Sequence, residues 1–370
     1  MIAKEIWNFK YADPILGIEL GDINNDEQVE IIAYTRTGML LFLSLNGKIM
    51  HQEVISKDIP IWHLKIFDID NDGKSELILG GMDGLLRTFK CSLTYDLESL
   101  WNHNFNASIS GILIEDINND NISEIIAFSL DKTIRVLNSL NGNLIWGQVF
   151  QDGIGDVTIF INDKKIILAG GNDGTIRTFN GVNGKLLWFK KFSNKIRSVC
   201  YLNSFKGGVV LCGGDDKKLH FINKKTQTEF KTKEFKDYIW KCISYPFPTF
   251  NNAIISSYSF DYFNNSLPLQ KISFSSNLIC LSEFFEVKWE LKGFNIECLH
   301  IIEIYDNILI CAGTTKGELI IIEEKTGRIL FNKTNNSCLN AIRFIIEKRL
   351  LFCCHDDGTV IAYKLEDVLI

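Results

Sequence analysis

The sequence predicts an all-β fold, a β-propeller of eight four-stranded blades with seven as the alternative count, and three observations predict it. An acidic turn recurs as Asp22-Ile23-Asn24-Asn25-Asp26, Asp68-Ile69-Asp70-Asn71-Asp72 and Asp116-Ile117-Asn118-Asn119-Asp120, at spacings of 46 and 48 residues. That period suits one four-stranded blade. Asn-Gly pairs between apolar runs, at Asn46-Gly47, Asn141-Gly142 and Asn183-Gly184 with Thr326-Gly327 as a variant, are hairpin signals. A tryptophan returns at one place in the fourth strand of a repeat, as Trp101, Trp146, Trp188 and Trp289, and Trp7 matches them ahead of the first repeat.

The first repeat sets the pattern of strands A to D: Ile15 to Leu20, Val29 to Tyr34, Met39 to Leu43, and Ile49 to Val54. Later repeats run from Pro60, Ser108 and Gly153, a fifth follows Phe192, and the last three begin near Tyr238, Asn295 and Cys338. Glycine-rich B–C turns such as Gly80-Gly81-Met82-Asp83-Gly84 and Gly170-Gly171-Asn172-Asp173-Gly174 punctuate them. The sixth repeat is long, and its excess falls at Ser259 to Gln270, read as an inserted loop. The eighth ends at Leu365 after three strands. Residues 4–10 are therefore expected to supply its fourth strand, closing the ring and removing the exposed edges of an open array. The repeats override the length prior of two or three domains for 370 residues and argue for one domain over 1–370.

Apolar residues make up 46% of the chain and charged residues 23%, enough for a large core. The net charge of −6 argues against a dedicated nucleic-acid binder. The N-terminus lacks the apolar segment of a secretory signal, and no apolar run is long enough to span a bilayer, so a cytoplasmic protein with no membrane span is expected. The ten cysteines sit largely in apolar strands and read as small buried hydrophobes of a reducing compartment. In Cys353-Cys354-His355 neighbouring strand side chains point to opposite faces, which argues against a zinc site.

The acidic turns are the candidate metal sites. Alternating Asp-x-Asp/Asn-x-Asp puts three side-chain oxygens on one side of a loop, and a glutamate four residues on closes the shell, a hard donor set suited to Ca2+. The sets are Asp68, Asp70, Asp72 and Glu76; Asp22, Asn24, Asp26 and Glu30; and Asp116, Asn118, Asp120 and Glu124. Only the second keeps Gly73 and all three aspartates, so it should bind best. Any ion would be structural. The metal-free reading is that these residues cap a tight turn through side-chain to backbone hydrogen bonds.

The turns Asp22 to Glu30, Asp68 to Glu76 and Asp116 to Glu124, with the strands Ile31-Ile32-Ala33, Leu77-Ile78-Leu79 and Ile125-Ile126-Ala127 behind them, resemble the FG-GAP or VCBS repeats of integrin-type propellers. The Glu closing each turn and the cytosolic character resemble more the intracellular relatives, notably the N-terminal propellers of BBSome subunits. The resemblance covers residues 13 to 135 and implies a scaffold in a multiprotein assembly, trafficking-related in the BBSome case. Asn183-Gly184-Lys185-Leu186-Leu187-Trp188 is also similar to quinoprotein propellers, and Asp356-Asp357-Gly358-Thr359-Val360 to WD-type blades.

Three functions compete. The first is a non-catalytic interaction scaffold, favoured by scattered histidines (His51, His63, His103, His220, His300, His355) and by the lack of a phosphate-binding glycine loop or a nucleophilic triad. Its partners would be other proteins in a complex, met through loops around the central channel or through the Ser259 to Gln270 insertion. The second is a quinoprotein-like enzyme. The third is an anionic-surface binder, for nucleic acid or lipid, through Lys217, Lys218, Lys224, Lys225, Lys231, Lys233 and Lys236 of the fifth repeat; a solvated blade edge is the plainer reading of that run.

Overall fold

The computed structural model describes residues 3–161, 164–203, 207–244, 252–260, 274–304 and 307–366. These residues form eight four-stranded antiparallel sheets, so the count is eight and not seven. Seven sheets run A-B-C-D in chain order. In the eighth, strands Leu339–Ile345, Leu350–His355 and Thr359–Leu365 are completed by Ala3–Lys10. The N-terminal strand pairs antiparallel with Thr359–Leu365, Trp7 lying opposite Ala362 and Lys10 opposite Thr359. The part of the expected sixth-repeat insertion from 261 to 270 lies outside the described residues, as do the A–B connections at 162–163 and 204–206.

Near its start each strand A has a buried apolar residue followed by a bulge, seen in the register shifts at Ile15/Gly17, Ile61/His63, Ile109/Gly111, Ile154/Asp156, Ile196/Ser198, Ile239/Lys241, Ile296/Cys298 and Leu339/Ala341. A bulge sharpens local twist and re-aims side chains, which lets eight short strands converge on one axis. Neighbouring A strands tie together there. Arg343 of blade 8 donates to both carboxylate oxygens of Glu19 in blade 1, at 2.8 and 2.6 Å, and Lys65 of blade 2 lies 3.7 Å from the same carboxylate.

Strand B is buried along its length in five blades, as in Glu30–Thr35 and Ala253–Tyr258, and past its first one or two residues in the other three, because both faces are covered by adjacent sheets. That explains its unbroken apolar runs. Core residues fall into clusters, most of them joining consecutive blades. Cys353 and Cys354 belong to different ones, on the two faces of their sheet, as strand alternation requires.

The tryptophans act as ties between blades. Trp7, Trp101, Trp146 and Trp289 each donate the indole N–H to a carbonyl in the C–D turn of the next blade, Leu45, Ser139, Gly181 and Glu324, at 2.6 to 2.8 Å. Each ring also lies on the turn glycine, Gly47, Gly142, Gly184 or Gly327, where an added Cβ would come within 2.5 to 2.8 Å of it. All four glycines have positive φ, so they answer both to the turn and to the ring. Trp188 lacks this partner: the matching position in the fifth-blade turn is Gln227, at φ 60°.

Candidate functional site

The three acidic turns share one backbone framework. Each leading aspartate accepts two backbone N–H groups: Asp22 from Asp26 and Glu27, Asp68 from Asp72 and Gly73, and Asp116 from Asp120 and Asn121, at 2.8 to 3.2 Å. The middle Asn or Asp accepts a second bond from the N–H of Asp26, Asp72 or Asp120. Two residues per turn take positive φ, Asn25 and Glu27, Asn71 and Gly73, Asn119 and Asn121. Losing the glycine in turns 1 and 3 therefore leaves the loop shape intact. The isoleucine of each turn, Ile23, Ile69 or Ile117, is buried in a core shared with the following blade.

The closing glutamates, Glu30, Glu76 and Glu124, open strand B and are buried. One oxygen of each accepts the N–H of Ile23, Ile69 or Ile117, at 2.8 to 3.1 Å. Burial pushes all three carboxyls up from the ordinary carboxylate range, Glu30 to about 7, and the turn aspartates add to the shift.

The centre of each turn is filled differently. In turn 3 the Asn118 amide donates to Asp120 and Glu124, both at 2.9 Å. In turn 1 the Asn24 amide donates to Asp26 at 3.2 Å, and Glu30 is met by the Tyr95 hydroxyl at 3.4 Å. In turn 2, where Asp70 has no N–H to offer, the Lys90 ammonium enters from strand C. It lies 2.8 Å from Asp70, 3.2 Å from Asp72 and 3.7 Å from Glu76. Hydrogen bonds to Asp70 and Asp72 hold the lysine well above its ordinary pKa.

This bears on the fit to calcium. One oxygen from each of Asp68, Asp70 and Glu76 lies within 4.8 Å of the others, and Glu76 Oε1 is buried without a hydrogen-bond donor. That set fits a hard divalent cation, but Lys90 stands among the same oxygens. In turns 1 and 3 the Asn24 and Asn118 side chains turn N–H groups, not oxygens, to the carboxylates, and they do not fit a cation in that orientation.

Sequence reasoning did not find Lys90. Its signal is cross-strand: Leu77 pairs with Phe89, which places Lys90 opposite Glu76, where Asn138 stands opposite Glu124. A second recurrent feature was also missed. Asp83, Asp131 and Asp173 in the B–C turns pair with Arg87, Arg135 and Arg177 four residues on, and Asp216 pairs with His220. Arg135 and Arg177 lie 4.2 and 3.9 Å above the rings of Phe105 and Phe150.

Five of the seven fifth-blade lysines have local partners. Lys217, Lys224 and Lys233 lie 5.2 to 5.7 Å above the rings of Tyr238, Phe160 and Phe235. Lys218 pairs with Glu234 at 3.1 Å, and Lys231 donates to the Phe285 carbonyl at 2.6 Å.

Comparisons with known proteins agree on the fold. The family model of the lambda-carrageenase β-propeller domain matches residues 154–242, which is blade 4, blade 5 and the start of blade 6. Among solved structures, Sqt1 of Saccharomyces cerevisiae superposes with a TM-score of 0.78 at 12% identity, over 99% of this chain and 100% of that one. The computationally designed protein Ika8 gives 0.73 at 13% identity, over 96% and 97%. BamB of Moraxella catarrhalis gives 0.65 at 15% identity, over 98% and 100%. No curated protein matches the chain in sequence. Among the described residues no helix is long and apolar enough to cross a membrane.

Proposed function

We propose that this chain is a non-catalytic protein-interaction scaffold of a multiprotein assembly, of the cytoplasmic, trafficking-related kind that its BBSome-like turns imply. The observation that carries this reading is the outer rim of blades 3 and 4. Strands Leu144–Val149 and Leu186–Lys191 end their sheets, so each leaves one side of its backbone ladder unpaired. Along that edge Leu144, Ile145, Val149, Leu186, Leu187 and Phe189 are exposed, Val149 by 66% and Phe189 by 61%. Soluble proteins usually blunt such edges with charge, and a clustered apolar strip on one marks a place that a partner covers.

The carboxylates within the carrageenase-like stretch support the same reading. Asp173 is tied to Arg177, Asp215 to Arg197, and Asp216 and Glu229 both to His220. Ties of this kind hold blades and turns rather than offering an acid–base pair to a substrate. The acidic turns are proposed as structural clasps, with Asp68, Asp70, Asp72 and Glu76 the one set that would take Ca2+ when Lys90 withdraws.

The test is affinity purification from the source cell with wild type and the double variant Leu187→Asp, Phe189→Asp, alongside thermal melts of both. Partners retained by wild type and lost from the variant at unchanged melting temperature support the proposal. Equal recovery by both proteins would remove the rim from it, and recovery of no partner by wild type would overturn the scaffold reading.

A further inference from the structure

The bulged starts of four consecutive A strands surround a cavity of about 220 Å³ at the B–C turn end of the central channel. Ser110, Gly155, Arg197 and Trp240, the bulge residues of blades 3 to 6, line it together with Lys241 and with Asn172 from a B–C turn. Two of these carry buried polar atoms without any hydrogen-bond partner, Ser110 Oγ and Trp240 Nε1. Such orphans are uncommon, because a buried donor or acceptor without a partner has given up its hydrogen bonds to water for nothing. The Lys241 ammonium has no ion-pair or hydrogen-bond partner among the described residues. Arg197 is held by Asp215 and lies 5.3 Å above the indole of Trp240.

An indole N–H can only donate, and so can an ammonium. The wall therefore holds donors that want an acceptor. Two carboxylates limit what that acceptor is. Asp156 and Glu297 are the acidic groups whose charge reaches Lys241, and each is already engaged, Asp156 by Ser198 at 2.6 Å and by the Val199 N–H at 3.0 Å, Glu297 by the Tyr258 hydroxyl at 3.0 Å. His63, the other titratable group facing Lys241, is kept neutral by burial. Each carboxylate group brings one negative charge, which Lys241 balances, whereas phosphate concentrates about two charges on one centre that would face both Asp156 and Glu297.

We propose that this cavity binds a carboxylate, supplied either by a small organic acid or by an acidic side chain of a partner protein, with Lys241 as its counter-ion and Trp240 Nε1 and Ser110 Oγ as donors. The site stands apart from the rim of blades 3 and 4, so neither depends on the other.

The experiment titrates 15N-indole-labelled protein with three probes in turn: succinate, an acetylated Glu-Asp-Glu-Asp peptide amide, and inorganic phosphate, with succinamide as the uncharged control. The reporter is the indole N–H signal assigned to Trp240 by its absence in Trp240→Phe. The expected result is a saturable shift with succinate, the peptide or both, which also tells the two sources apart, and no shift with succinamide. Lys241→Met, an exposed side chain whose loss leaves the core untouched, is expected to weaken binding at least tenfold at unchanged melting temperature. The proposal is overturned if neither carboxylate gives a saturable shift, if succinamide shifts the signal equally, if phosphate binds more tightly than both carboxylates, or if Lys241→Met binds as wild type does.

Discussion

Turns 1 and 2 begin from nearly the same residues and arrive at different chemistry. Both fold their leading aspartate onto two backbone N–H groups and bury a glutamate at the base of the loop. In turn 2 the surplus negative charge meets Lys90, brought from the neighbouring strand to within 4 Å of three carboxylates. In turn 1 no cation arrives among the described residues: Asn24 removes one charge and offers an amide, and burial leaves Glu30 with its pKa pushed up to about 7. The loop shape is thus a property of the motif, while the way its charge is neutralised belongs to the residues that the blade folds against it. A carboxylate motif alone does not specify a metal.

The largest way to sharpen this contrast is Lys90→Met. Without the ammonium, the buried Glu76 and its two aspartate neighbours face one another unneutralised, and the apo protein should lose about 1–2 kcal/mol, discounted for the partial exposure of the lysine. Calcium should then recover more than was lost, since a ligand at a hundred times its dissociation constant adds about 2.7 kcal/mol. The measurement is the melting temperature with millimolar CaCl2 against EDTA. A rise of several degrees in the variant beside a small one in wild type is expected. An equal response in wild type would mean that Lys90 gives way freely, and the distinction between the turns would collapse.

Much of the architecture was legible because strands announce themselves locally. The acidic turns, the Asn-Gly hairpins and the missing fourth strand of the last repeat each sit within a few residues, and together they placed Trp7 beside Thr359–Leu365. What escaped notice lies across strands or blades. Trp146 and Trp188 look equivalent in sequence, yet Trp146 has Gly184 under its ring and a carbonyl at 2.7 Å, while Gln227 stands where Trp188 would need a glycine. The partner of each tryptophan is in the next repeat, so reading repeats one at a time hides it. Lys90 was hidden similarly, 14 residues from Glu76 along the chain and adjacent to it in the sheet.

Glu30→Gln tests the other side of the comparison. Because the native carboxyl binds its proton more tightly than its ordinary 4.5 allows, its favourable contribution is complete below that value. It is lost as pH rises through about 7, where the buried group must ionise beside Asp22 and Asp26. The amide keeps an oxygen for the Ile23 N–H and never ionises. The variant should therefore gain about 1–2 kcal/mol over wild type at pH 8 and nothing at pH 4, read from denaturant midpoints at the two values. A gain at both values would trace to packing instead of charge. The matching change at Glu76 should give a smaller gain at pH 8, because Lys90 offsets part of what burial costs that carboxylate.

Asn118→Asp carries the smallest expected effect and the tightest logic. It gives turn 3 the three aspartates of turn 2 while leaving Asn138, not a lysine, opposite the closing glutamate. It is therefore turn 2 without its ammonium, reached from another blade by another residue. The loss of two amide donors and the added repulsion on Glu124 should cost about 1 kcal/mol at neutral pH, and calcium should restore it. If Lys90→Met and Asn118→Asp both become calcium-responsive, what decides metal binding here is the absence of an internal N–H donor, whichever residue would have supplied it. If only Lys90→Met responds, the glycine at position 73, which turn 3 replaces with Asn121 without changing the loop shape, matters to the ion.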